Sequence, residues 1–263
     1  MRILILGDTH AHEPAMVEAY HAATELGLDR IFQVGDFGYW PRKAGPGGES
    51  DYLFTVNRLG SETGIPCYWL PGNHEDWLSY EELFQGPMDD EGFAVHGWMR
   101  ATPRVHRWTW DNLKFGSIGG AFSIDRSMRK EGWSWFYQEV PTWQDAEALG
   151  DDPLDVLLTH DGPVNVATEI LGKRSIDFGV EAGEAAQSQA VIAQAMLNTR
   201  PSITFHGHWH CRTFYKYQGM KVQLLDMASG NPTVQAGAVL DTVKRRWYSL
   251  NEFAYEQEGT EIP

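Results

Sequence analysis

The stretch RILILGDTHAHEPAMVEAYHAATELGLDRIFQVGDFG, Arg2 to Gly38, contains two short apolar runs that each end in Gly-Asp. Such runs, stopped by turn-forming residues, predict buried strands. Between them Met16, Tyr20, Ala23 and Leu26 recur at helical spacing. Strand, helix and strand in that order make a β-α-β unit, whose parallel strands leave their carboxyl ends on one edge of a sheet. Each strand therefore carries its Gly-Asp to the same edge. An apolar run closed by Gly with Asp, Asn or His returns twice more, in CYWLPGNHE and LDVLLTHDG.

Further helices are predicted over Tyr52 to Leu59 and over Glu184 to Leu197, the second stopped by Arg200-Pro201 because the residue before proline disfavours helical backbone. Beyond it, TFYKY, VQLLD, AVLD and RRWYSL are short alternating runs of the kind found in hairpins or a meander, and are expected to build a second sheet. The segment 86–112, with scattered Gly, Pro and Trp, reads as an irregular insertion within a single domain over residues 1–250. The acidic, proline-ended segment 251–263 reads as a frayed tail.

A chain of 263 residues, 42% of them hydrophobic, has the material for a large α/β core. Acidic residues number 36 against 21 basic ones, a formal charge of −15 that repels a polyphosphate backbone and disfavours duplex nucleic acid as a partner. Cys67 and Cys211 are too few for a disulfide framework and suit a reducing compartment. MRILILGD opens as a strand rather than as an export signal, and no apolar run approaches the ~20 residues of a membrane helix. A cytoplasmic protein with no membrane partner is expected.

The strand ends bring Asp8 and His10, Asp36, Asn73 and His74, and His160 to one edge, and ITFHGHWHCRTF, Ile203 to Phe214, adds His206, His208 and His210 at alternate positions. In extended chain, residues two apart face the same way. Leaving His206 aside, the set offers two carboxylates, one amide and five imidazoles. Oxygen and nitrogen donors without thiolate suit Mn, Fe, Zn or Co better than a structural zinc site. No single cation uses so many donors. Two are expected, at a spacing of roughly 3.5 to 4 Å that requires a bridging ligand, and a carboxylate such as Asp36 can bridge. The parts of other chemistries are missing: there is no G-x-x-x-x-G-K-[ST] loop and no G-x-S-x-G elbow.

In order along the chain, GDTH, GDFG, GNHE, THDG and GHWH resemble the motifs of the calcineurin-like metallophosphoesterases, from Arg2 to about Gly230. GDFGYWP, GGAFSIDR and LLTHDGP are similar to a bacterial and bacteriophage subgroup of that family. The resemblance implies an α/β fold, a two-sheet sandwich flanked by helices, with two metals at the carboxyl edge. It implies Asp8, His10 and His210 at the first metal, Asn73, His160 and His208 at the second, and Asp36 bridging. His74 would not ligate; together with Asn73 it would contact the phosphate, and it would assist the leaving group as a general acid. His206 then orients a ligand or packs. Manganese is the ion that the resemblance favours, with iron, zinc, cobalt or nickel as alternatives. A water shared by two such cations becomes acidic enough to serve as an in-line nucleophile.

Two departures bear on substrate. Where the protein Ser/Thr phosphatases of this superfamily have Asp-Arg-Gly and a further arginine, this chain has Tyr39-Trp40-Pro41 and Pro71. Both phosphate-clamping arginines are thus missing, along with the aspartate that partners the His74 position, for which Asp76 or Asp161 is a substitute. Arg126, Arg129 and Lys130 form another basic cluster, in GGAFSIDRSMRKEGWSWF, and Arg126 is taken as the substrate-binding candidate. Phe37, Tyr39, Trp40, Trp133, Trp135, Phe136, Tyr137 and Trp143 either pack loops or stack a nucleobase. The expected activity is hydrolysis of small phosphodiesters, cyclic nucleotides among them, with some phosphomonoesterase activity. The alternatives are a phosphomonoesterase or protein phosphatase, a nuclease, and a metal-binding scaffold without turnover. The nuclease is disfavoured by the net charge, and the scaffold by the retention of His10, His74, His208 and His210.

Overall fold

Strands β1 (Arg2–Leu6), β2 (Arg30–Gln33) and β3 (Cys67–Trp69) pair in parallel at the centre of the first sheet. The computed structural model describes residues 1–43, 50–170, 172, 180–228, 236–254 and 260–261. The crossover from β1 to β2 is α1 (Glu13–Glu25), which buries Met16, Tyr20 and Ala23 as their spacing predicts. The crossover from β2 to β3 contains α2 (Asp51–Thr63). Ser50 Oγ caps α2 by accepting the Leu53 N–H, and Gly64 ends it in left-handed backbone at φ 74°.

The segment read as an irregular insertion contains three strands. After α3 (Trp77–Leu83) come β4 (Ala94–His96) and β5 (Met99–Ala101), a hairpin that extends the first sheet beyond β3. Strand β6 (Val105–Trp110) then opens the second sheet and pairs antiparallel with β7 (Leu113–Ile118). Parallel pairs join β7 to β8 (Val156–Thr159), β8 to β9 (Ile203–His206), and β9 to β11 (Met220–Leu224), with β10 (Thr213–Tyr217) antiparallel on the edge. Helices α4 (Trp143–Leu149) and α5 (Val180–Thr199) contribute Ala146, Leu149, Val191, Ile192, Ala195 and Met196 to the core on the outer face of this sheet.

Not all of the late strands join the second sheet. β12 (Gly237–Asp241) returns to the first and lies antiparallel beside β1, followed by β13 (Arg246–Ser249). The segment expected to fray holds α6 (Leu250–Ala254) and a two-residue β14 (Thr260–Glu261) paired with β13; residues 255–259 and 262–263 lie outside the described residues. The result is an eight-stranded sheet in the order β14-β13-β12-β1-β2-β3-β5-β4 facing a six-stranded sheet in the order β10-β11-β9-β8-β7-β6.

Alternation along β1 shows how the layers are glued. Ile3 and Ile5 point into the inter-sheet core with Phe32, Phe115, Val156 and Phe205, while Leu4 and Leu6 point the other way, into the core shared with α1 and α2. Both faces of β1 are therefore apolar, and only its end is free to be polar. Cys67 and Cys211 are thiols. Among the described residues no helix is long and apolar enough to cross a membrane.

Candidate dinuclear metal centre

The polar residues begin where β1, β2, β3, β8 and β9 stop. Asp8 and Asp36 are buried at 0% and 1% exposure. His10, Asp36, His208 and His210 all have left-handed backbone, with φ of 49°, 53°, 69° and 46°. Side-chain-bearing residues adopt that region at a cost, and such outliers concentrate where a turn must aim a side chain. Glycine makes room for the carboxylates. A Cβ on Gly207 would lie 1.9 Å from Asp8 Oδ1, and one on Gly72 would lie 2.1 Å from Asp36 Oδ1.

Asp8, His10, Asp36 and His210 each turn a donor atom into a space where all four lie within 4.8 Å of one another. His10 Nε2 is 3.1 Å from His210 Nε2, 3.9 Å from Asp8 Oδ2 and 3.7 Å from Asp36 Oδ2. A second group meets the other oxygen of the same carboxylate. His160 Nε2 is 3.3 Å from Asp36 Oδ1 and 3.0 Å from Asn73 Oδ1, and the His208 ring centroid is 5.1 Å from that of His160. Asp36 thus presents one oxygen to each group. His74 donates its backbone N–H to Asp36 Oδ1 at 2.7 Å, and its ring stands edge-on to that of His10, 5.3 Å between centroids.

Electrostatics fit a cation-binding role. Burial pushes the Asp36 carboxyl up, yet His160, His74 and His10 together hold it well below the usual range. Asp8 is likewise lowered, burial being outweighed by His160 and His210. His160, opposed by its own burial, is pushed up to about 10 by Asp36 and Asp8. Two buried carboxylates therefore draw positive charge from their neighbours, a role that divalent ions fill more fully. Convergent oxygen and imidazole donors without sulfur suit first-row divalent transition ions.

Around this centre the structure sorts the remaining expectations. His206 is fully buried beneath the turn, with Nε2 2.8 Å from Tyr215 Oη, and burial pushes its imidazole down to about 3. Asp76 pairs with Arg42 and accepts the Ser79 N–H, while Asp161 accepts from Ser188, Gly162 and Trp209. Their carboxylates are thus occupied with partners other than the His74 ring. Arg126 pairs with Glu184 and lies 5.4 Å over the Phe122 ring and 5.5 Å over that of Trp135. Of the aromatics, Phe37, Tyr39, Trp135 and Phe136 are buried; Trp133, Tyr137 and Trp143 are exposed; Trp40 lines the cleft beside His74.

Glu75 does not stand out in the sequence. Its fully buried carboxylate accepts the N–H groups of Phe37, Gly38 and Tyr39 at 2.7, 3.0 and 2.6 Å, tying the loop after β2 to the loop after β3. Burial, reinforced by Asp36, pushes it up to about 8. The available signal is an acid beside His74 in excess of the ligands needed.

Two clefts open onto the cluster. One of about 430 Å³ is lined by His10, Trp40, Tyr52, His74, Arg129 and Ser134, and one of about 380 Å³ by Asp36, Asn73, His74, Asp125, Trp209 and His210 among others. His74 borders both.

The calcineurin-like phosphoesterase family profile matches residues 1–212, and the chain belongs to that family. It is accordingly a metal-dependent phosphoric ester hydrolase by class. No match is found among curated proteins. Among solved structures the fold is similar to TT1561 of Thermus thermophilus, at 19% identity over 94% of this chain and 96% of that one, TM-score 0.59. It is also similar to a dimetal phosphatase from Danio rerio, at 11% identity over 94% of both chains, TM-score 0.56. GAP50, the anchor in the inner membrane complex of Plasmodium, shares the fold at 10% identity over 100% of this chain and 89% of that one, TM-score 0.50.

Proposed function

We propose that the protein hydrolyses small phosphodiesters, cyclic nucleotides among them, and acts more weakly on phosphomonoesters. The carrying observation is the pair of clefts that meet at His74 beside the cluster. A phosphodiester has an organic group on each side of phosphorus, and two clefts accommodate both; a monoester needs one. Asp8, His10 and His210 would hold one ion, Asn73, His160 and His208 the other, with Asp36 shared and manganese the preferred metal. When bound, the ions would supply an acidified water as nucleophile and neutralise charge on the phosphoryl oxygens.

The chain's own residues supply position and protons. Asp36 fixes His74 through the backbone N–H of that residue, so the imidazole stays at the junction of the clefts, where it can protonate an oxygen leaving toward either. Trp40 donates its indole N–H to the His74 carbonyl at 2.8 Å and lines one cleft, where an indole can take part in holding a nucleobase. Formal charge of −15 favours small substrates over polymers, and two thiols without a disulfide suit a cytoplasmic setting.

The test is hydrolysis of matched aryl phosphodiester and phosphomonoester substrates by manganese-loaded protein. Diester preference is expected. His74→Ala should lower kcat by roughly 10²- to 10⁴-fold with metal content unchanged, whereas Asp36→Ala should lose metal and activity together. A monoester preference would overturn the diesterase assignment. Cleavage of single-stranded DNA at low salt, faster than of the aryl diester, would replace it with a nuclease.

A further inference from the structure

We propose that Arg129 is the phosphate-binding arginine of this site, supplied by the segment between β7 and α4 rather than by the loops that carry the ligands. This rests on the assignment of the cluster to phosphate-ester hydrolysis. Its own basis is the placement of a single cation.

An anionic substrate approaching a protein of charge −15 needs local positive charge besides the metals. Among the described residues lining the two clefts, Arg129 is the one that bears a guanidinium or ammonium group. Its side chain is 8% exposed, and it is braced against Asn73 twice. Nη2 donates to the Asn73 carbonyl at 3.4 Å, and Nη1 donates to Ser123 Oγ, which also accepts the Asn73 side-chain N–H at 2.9 Å. Asn73 Oδ1 in turn lies 3.0 Å from His160 Nε2. The guanidinium therefore touches the second group of ligands through Asn73 and shares a cleft with His74.

Two carboxylates stand near it. Glu139 is fully buried with Oε2 3.8 Å from Nη1, beyond hydrogen-bond reach, and burial pushes its acid up to about 8. Asp125 is about one-third exposed with Oδ1 3.5 Å from Nη1, a loose and water-accessible partner. A phosphoryl group can displace Asp125 while Ser123 and the Asn73 carbonyl keep the fork in place. Guanidinium recognises phosphate oxygens through two parallel, charge-assisted hydrogen bonds, which an ammonium cannot reproduce. The other arginines of the neighbourhood are committed elsewhere: Arg126 to Glu184, Arg42 to Asp76 by two hydrogen bonds, and Arg104 to the face of Trp77 at 4.2 Å.

Inorganic phosphate binding to manganese-loaded protein, followed by calorimetry, tests the assignment without turnover. Arg129→Ala should weaken phosphate binding at least 10-fold, and Arg129→Lys severalfold, with metal content unchanged. Arg58→Ala, on the exposed face of α2 where Arg58 pairs with Glu62, should match wild type. Unchanged phosphate affinity in both Arg129 variants would overturn the assignment. So would loss of metal in Arg129→Ala together with wild-type phosphate affinity in Arg129→Lys, because the role would then be structural. Wild-type protein that binds phosphate through Arg129 but cleaves no diester would sink the diesterase assignment and leave this one standing. Arg129→Ala with wild-type KM and kcat on the diester would do the reverse.

Discussion

Glu75 shows how one side chain sets the position of two loops. Its carboxylate is the acceptor for three consecutive N–H groups after β2, and removing it would strand buried donors at about 1 to 3 kcal/mol each. Glu75→Ala should therefore destabilise the fold by several kcal/mol in urea unfolding and lower metal occupancy, whereas Glu75→Gln, which keeps one acceptor oxygen, should fall between. Equal metal content in all three proteins would show that the loops hold themselves. Residues of the cluster were legible in the sequence because each closes an apolar run, and parallel topology sends run ends to one edge. Glu75 was hidden because an acid beside Asn73 and His74 reads as one more polar group of the same motif. The pairing of Arg126 was hidden because its partner Glu184 lies 58 residues away in sequence.

Longer helices announced themselves by their period, and short strands only where a Gly-Asp, Gly-Asn or Thr-His turn closed an apolar run. α1, α2 and α5 span 13, 13 and 20 residues, enough for an apolar stripe to repeat. β4 and β5 have three residues each and α3 and α4 seven, too few for a period to show. β12 was recognisable as a strand but not as a member of the first sheet, since all five of its residues are buried and only pairing with β1 assigns it. Helix ends offer a clean test of local rules. A Cβ added to Gly64 would meet nothing within 4 Å, so Gly64→Ala is a pure backbone effect at φ 74°. It should lower stability by about 1 to 2 kcal/mol while leaving metal content and hydrolysis unchanged; a larger loss would mean that the end of α2 is held by more than its turn.

Across the whole molecule the cluster is shared between the two sheets. Asp8, His10, Asp36 and Asn73 follow strands of the first, and His160, His208 and His210 follow strands of the second. Ions bound there would link the layers at their polar edge as Ile5, Phe32 and Phe205 do in the apolar interior. Chelation should accordingly lower the thermal midpoint, because a ligand at 100 times its Kd contributes about 2.7 kcal/mol to the folded state. An unchanged midpoint after removal of metal would show that the sheets hold the edge unaided.

The distance between His10 and His210 has a further meaning for biosynthesis. These imidazoles meet at 3.1 Å although 200 positions separate them in the chain. On a ribosome, Asp8, His10 and Asp36 emerge long before His210, and the growing chain lacks a donor that completes their group. Tight retention of an ion by this group would therefore wait until His210, between β9 and β10, has emerged. Metal capture would then mark a chain synthesised past His210, and fragments ending before it would forfeit it.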